Sequence, residues 1–207
     1  MNNAAKYLLL LLLGLALISC PAKKPATEIA PVNGKILIAE LIIVRNDLCP
    51  LCSRQLQPCP VDDPGPRLFN DALGEILIQK GFEIFRAKIP NPQADPQDAL
   101  KDYLALAEKM KARYLIIPVL YCFAERKGSA LSASRPAQVG FHLHIYKVKD
   151  GKELWGGDFH ESQQPLSENI LELGNFIRRG GKWLTAEELA REGISRLLDR
   201  FLKSEKK

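Results

Sequence analysis

Apolar residues fall along the chain in runs whose periods separate one kind of element from another. Ile36-Leu37-Ile38-Ala39 and Leu41-Ile42-Ile43-Val44 form a β-branched-rich stretch with only Glu40 interrupting it. That pattern predicts a strand buried on both faces of a parallel sheet. From Pro66 to Lys80 the apolar positions Phe69, Ala72, Leu73, Ile76 and Leu77 recur at helical spacing on one face. Gly81 follows as the residue that lets the chain leave the helix. Phe82 to Arg86 alternates as a short strand. Asp95-Pro96 predicts a second helix start, with Asp as N-cap and Pro at the first helical position. Leu100, Leu104, Ala107 and Lys111 carry its stripe to about Ala112.

Tyr114 to Phe123 is another long apolar strand. Pro118 inside it lacks a ladder donor, which predicts a bulge or an unpaired flank there. Lys127 to Pro136 reads as a polar loop. Within Ala137 to Val148 the residues Val139, Phe141, Leu143 and Ile145 face one way. Asp150-Gly151 is a hairpin turn signal, and Glu153 to Phe159 returns as the antiparallel partner. Thr185-Ala186-Glu187-Glu188 is a capping box. It opens a last amphipathic helix through Ala190, Ile194, Leu197, Leu198 and Phe201. The order is β-α-β-α-β-β-β-α, an α/β (α+β) class. Right-handed crossovers make the first three strands parallel, and the closing hairpin adds antiparallel strands to a mixed sheet.

Upstream of the domain the pattern changes. Lys6 supplies one positive charge, Leu8 to Ile18 is almost unbroken apolar sequence, and Ser19 precedes Cys20. The apolar run is roughly half the ~20 residues that a membrane span requires, so residues 1–19 read as a cleaved secretory signal. Leu17-Ile18-Ser19-Cys20 resembles the lipobox of bacterial lipoproteins. The resemblance implies cleavage before Cys20, a diacylglycerol on its thiol and an acyl chain such as palmitate on the new amino group. Residue 21 is Pro, where Asp commonly holds such lipoproteins at the inner membrane, and this points to the periplasmic face of the outer membrane. Residues 20–34, with Pro21, Pro25 and Pro31, read as a lipidated Pro-rich tether. Residues 35–207 read as a single globular domain, long enough to bury a proper core.

Charge changes the picture little. The formal net charge is +5, and about +4 once Lys6 is removed, which is mild for a nucleic-acid or anionic-membrane ligand. No nucleic-acid partner is expected.

The domain resembles a group of envelope proteins: the curli-secretion lipoprotein, the lipoprotein activators of penicillin-binding proteins, and the amino-terminal domain of TolB. The features that carry it are the Ile36–Val44 strand, the Phe69–Leu77 helix, the Tyr114–Phe123 strand and the Val139–Phe159 hairpin. That hairpin turns on Lys149-Asp150-Gly151-Lys152 and runs into Glu153-Leu154-Trp155. The resemblance covers roughly residues 35–203 and is architectural. The long amphipathic hairpins from which the curli-secretion family builds its pore have no counterpart here, so no pore is expected.

Five cysteines are present. Setting Cys20 aside leaves Cys49, Cys52, Cys59 and Cys122. Four thiols in an exported protein predict two disulfides. Cys49 and Cys52 follow the first strand and Cys122 lies near the end of the third, so all four can meet at one corner. The expected pairing joins Cys122 to Cys49 or Cys52, with Cys59 taking the other. The alternatives for the same corner are a periplasmic thiol-redox CxxC (Cys49-Pro50-Leu51-Cys52) and a four-thiolate zinc or iron–sulfur site. Ser53 to Pro58 is a poor helix, which counts against the redox reading. His142 and His144 lie i and i+2 on one strand face with Tyr146. They suit metal ligation or, more commonly, the wetter face of a half-buried sheet. Neither a serine-nucleophile elbow nor a phosphate loop is present.

The segment from Trp155 to Trp183 is the least generic. A connection this long before the last helix is usually functional or buried by something, and it could equally be a structural loop whose Trp183 caps the core beside Thr185. Phe176, Arg178, Arg179 and Trp183 are residue types enriched at protein interfaces and are the candidate partner-binding residues. The sequence therefore predicts a non-enzymatic, lipid-anchored binding or accessory factor in envelope assembly or transport. It would carry no cofactor besides the lipid on Cys20. Its partner would be another envelope component, with self-association among the options. The alternative is a periplasmic thiol-redox or metal-binding protein built on the cysteine corner.

Overall fold

The computed structural model describes residues 34–88, 96–130, 133–163, 177 and 179–205. The signal, Cys20, the tether and the Asp95 cap lie outside them. The elements are β1 (Lys35–Ile38), β2 (Ile42–Ile43), α1 (Gly65–Gln79), β3 (Glu83–Arg86), α2 (Pro96–Lys109), β4 (Tyr114–Ala124), β5 (Lys127–Gly128), β6 (Ala133–Arg135), β7 (Gln138–Lys147), β8 (Lys152–Ser162) and α3 (Ala186–Ser204). The main sheet runs β3-β1-β4-β7-β8, with β2 also paired to β4. Strand β1 is parallel to both β3 and β4, whereas β7 is antiparallel to β4 and to β8. This is the mixed α+β sheet that the sequence predicts. Strands β5 and β6 are a small separate hairpin inside the expected polar loop. Among the described residues, no helix is long and apolar enough to cross a membrane.

The 36–44 stretch is two strands rather than one, and Pro118 explains the break. Ala39 N–H donates to Ile116 O, and Val44 N–H donates to Leu120 O. Ile116 and Leu120 therefore turn their backbone groups toward this side of β4. Pro118, between them, faces the same side and has no N–H to give. The neighbouring chain leaves the ladder at Ala39 and rejoins it at Ile42, opposite Val119. The irregularity in the β4–β7 ladder comes later, between Leu120 and Cys122.

Helices α1 and α3 cover one face of the sheet. Their Phe69, Leu73, Leu77, Ile194, Leu197 and Phe201 pack with Ile36, Ile116, Phe141, Leu143 and Ile145. Thr185 caps α3 as the sequence predicts. Glu188 N–H donates to Thr185 Oγ1 at 3.1 Å, and Thr185 N–H donates to Glu188 Oε2 at 2.9 Å. The other face is covered in two parts. Helix α2 lays Tyr103 and Ala107 over Leu37, Leu115, Ile117 and Tyr146. Beyond its end, residues 45–60 take over, and Val44, Cys49 and Leu56 pack on Val119, Tyr121 and Cys122. That segment contains no helix and no strand longer than an isolated bridge. A cover of this kind has few backbone bonds to hold it in place.

Candidate functional site

Side chains alternate along β7, so Gly140, His142, His144 and Tyr146 point away from the α1–α3 face. His142 is 3% exposed and His144 1%. Their cross-strand partners on β4 are Val119 and Ile117. The sequence expectation placed these imidazoles on a wetter face. The 45–60 segment buries them instead.

Above the imidazoles that segment makes a tight reversal. Leu48 bridges Gln55, Cys49 N–H donates to Arg54 O at 3.0 Å, and Ser53 N–H donates to Cys49 O at 2.9 Å. Ser53 takes φ 55°, the left-handed conformation that closes the turn. The reversal sets Cys49 Sγ 3.3 Å from His144 Nε2 and Cys52 Sγ 3.8 Å from His142 Nδ1. One ligand atom from each of the four residues lies within 4.8 Å of the others. Both cysteines are free thiols, Cys49 buried and Cys52 exposed.

The outer nitrogen of each ring meets a carboxylate on β8. His144 Nδ1 is 2.7 Å from Glu153 Oε1, and His142 Nε2 is 3.7 Å from Asp158 Oδ1. The Tyr121 hydroxyl donates to Asp158 at 3.0 Å. Burial, with His144 alongside, lowers the His142 pKa to about 4, so its imidazole is neutral at ordinary pH. Burial also pushes the Cys49 thiol up.

Three chemistries could use such a set. A Cys49–His144–Glu153 nucleophile triad needs an accessible thiolate, but Cys49 is 1% exposed and burial disfavours its charge. A redox CxxC gains its reactivity at a helix N-terminus, but here the motif leads into residues with no helix before Gly65. Two imidazoles and two thiols converging on one point remain, and that is a donor set for a soft-to-borderline metal ion.

The cysteine pairing differs from the expectation. Cys59 is bonded to Cys122, with Cα atoms 4.5 Å apart. Residues 59–61 run beside the end of β4: Cys59 N–H donates to Tyr121 O, Phe123 N–H donates to Pro60 O, and Val61 bridges Phe123. That alignment delivers Cys59 to Cys122, while Cys49 and Cys52 sit over β7, one strand away. The four cysteines therefore form neither two disulfides nor a four-thiolate site.

The expected partner-binding residues separate. Trp183 is 8% exposed, and its carbonyl accepts from the Arg126 guanidinium. Arg179 ties β8 to α3 through Glu161 at 2.7 Å and Glu192 at 2.9 Å. Ile177 is 65% exposed. Phe176 and Arg178 lie outside the described residues.

No family model and no curated protein matches the chain. Solved structures that match the chain include a PelC dodecamer from Paraburkholderia phytofirmans, with 13% identity and TM-score 0.49, covering 82% of this chain and 88% of that one. Lipoprotein GNA1162 from Neisseria meningitidis gives 12% identity and TM-score 0.38, covering 70% and 96%. The LpoB C-terminal domain from Escherichia coli gives 12% and 0.38, covering 63% and 83%.

Proposed function

We propose that this chain is a lipoprotein anchored through Cys20 at the periplasmic face of the outer membrane. There it acts as a non-enzymatic binding or accessory factor in envelope assembly or transport. One observation carries the reading: the Leu8–Ile18 apolar run closes on Leu17-Ile18-Ser19-Cys20. Several acyl chains on one residue hold a protein at a membrane far more firmly than one. Residues 21–34, when extended at ~3.3 Å each, let the domain range up to about 45 Å from its anchor. The Cys59–Cys122 disulfide suits an oxidising compartment. Confinement near the membrane raises the effective concentration of the domain for a partner in the same layer.

The partner surface lies in the 160–183 segment, at the residues around Ile177. Trp183 and Arg179 hold the segment to the domain, Ile177 is exposed beside it, and Phe176 and Arg178 flank Ile177 in sequence. Cell fractionation and in-cell crosslinking test the reading together. The wild-type chain is expected in the outer-membrane fraction, and a Cys20→Ser chain is expected to leave it. Crosslinks to an envelope protein should be lost in the Phe176→Ala/Ile177→Ser/Arg178→Ala chain while its folding is unchanged. A Cys20→Ser chain that stays in the membrane contradicts the anchor. Crosslinks that survive the triple substitution contradict the surface.

A further inference from the structure

The geometry points to a zinc site of the Cys2His2 kind, formed by Cys49, Cys52, His142 and His144, that fastens residues 45–60 over the sheet. At Zn–S of about 2.3 Å and Zn–N of about 2.0–2.1 Å, tetrahedral angles put sulfur and nitrogen ligands roughly 3.6 Å apart. The two sulfur–nitrogen separations, 3.3 and 3.8 Å, bracket that value. A two-iron cluster with the Cys pair on one iron and the His pair on the other needs the pairs farther apart than the 4.8 Å within which all four atoms lie. Tetrahedral S2N2 is the geometry of zinc rather than of tetragonal copper or oxygen-preferring cations.

The surroundings match what such a metal requires. Ligating imidazoles characteristically give their second ring nitrogen to a carboxylate, which fixes the ring and raises its basicity. Glu153 stands within hydrogen-bond distance of the second nitrogen of His144, Asp158 lies 3.7 Å from that of His142, and the Tyr121 hydroxyl holds Asp158. Exposed Cys52 leaves an entry route. Four protein ligands close the coordination sphere, so the site is structural and takes no substrate.

The position supplies the reason for the site. Residues 45–60 cover a sheet face without regular structure, and the Cys59–Cys122 bond fixes only their far end. The metal fixes the near end. With Cys59 paired to Cys122, Cys49 and Cys52 are the two free thiols left at this corner. Zinc enters as the divalent ion and two thiol protons leave to solvent, with no change of oxidation state.

The test uses the full chain, purified in detergent without chelator. Elemental analysis should find one zinc per chain. Cobalt in its place should give the strong visible ligand-field bands of a tetrahedral ion and a thiolate charge-transfer band. Alkylation of Cys49 and Cys52 should be slow until a chelator is added. Cys52→Ser changes an exposed ligand and should lose the metal while circular dichroism is retained. Glu153→Gln keeps all four ligands and should weaken zinc binding roughly 10- to 100-fold. Any of four results overturns the proposal: a Cys49–Cys52 disulfide in acid-trapped chain, alkylation equally fast with and without chelator, stoichiometric iron or copper in place of zinc, or zinc retained undiminished in Cys52→Ser.

Discussion

Removing the Cys59–Cys122 bond isolates one fastening of the 45–60 cover. The perturbation is the Cys59→Ala/Cys122→Ala double substitution, which removes the bond and leaves no new free thiol behind. The bond spans a sequence separation of 63. The chain-entropy relation for a loop of that size gives about 4 kcal/mol of stabilisation at room temperature through the unfolded state. Native disulfides in such settings typically deliver about 2–4 kcal/mol, because residual structure in the unfolded chain reduces the entropic gain. The native alignment has its own support, since Cys59 N–H to Tyr121 O and Phe123 N–H to Pro60 O do not involve the sulfurs. The bond therefore acts mainly on the unfolded chain, and the folded arrangement survives its loss. Urea unfolding followed by fluorescence and by circular dichroism measures the cost. The expected result is a loss of about 2–4 kcal/mol, coincident transitions, and unchanged alkylation of Cys49 in the native state. A loss well below 1 kcal/mol would refute the loop-entropy reasoning. Rapid alkylation of Cys49 in the double variant would refute the claim that the cover stays in place.

Other elements give sharp expectations. Thr185→Ala removes the acceptor for Glu188 N–H and should cost about 1 kcal/mol in urea unfolding. Gly193→Ala gains about 1 kcal/mol of helix propensity, but its new methyl would stand 2.7 Å from the Phe159 ring. Overpacking of about 1–3 kcal/mol should win, so the melting temperature should fall. The Thr185 backbone N–H, aided by Lys182, lowers the Glu188 pKa below its ordinary 4.5. A carboxyl depressed in the folded state stabilises above its unfolded value, and that stability fades as pH falls through the folded value. The gap in melting temperature between wild type and Glu188→Gln should therefore be open at neutral pH and close in acid.

The fold was readable because each element carries its own period. The Phe69–Leu77 stripe, the Val139–Ile145 alternation and the Thr185–Glu188 box specify local structure, and right-handed crossovers order the strands. The Cys/His cluster was not readable as a unit. Its halves are visible in sequence as Cys-x-x-Cys and His-x-His, but Cys49 and His144 are 95 residues apart. Only tertiary structure brings β7 beneath the 49–52 turn. The imidazoles looked solvated because α2 covers half of their face and the segment over the other half has no periodicity to announce it. The disulfide pairing was missed for a related reason. Running 59–61 beside the end of β4 depends on backbone bonds that no side-chain pattern encodes. The inward turn of Arg179 likewise depends on Glu161 and Glu192, which are distant in sequence or on another element.

The proposed function puts this domain on a lipid leash at Cys20. Mass spectrometry of the mature N-terminal peptide from native membranes tests it most directly. The expected peptide begins at Cys20 and carries a diacylglycerol thioether with an acylated amino group. A peptide beginning elsewhere, or one beginning at an unmodified Cys20, would contradict it.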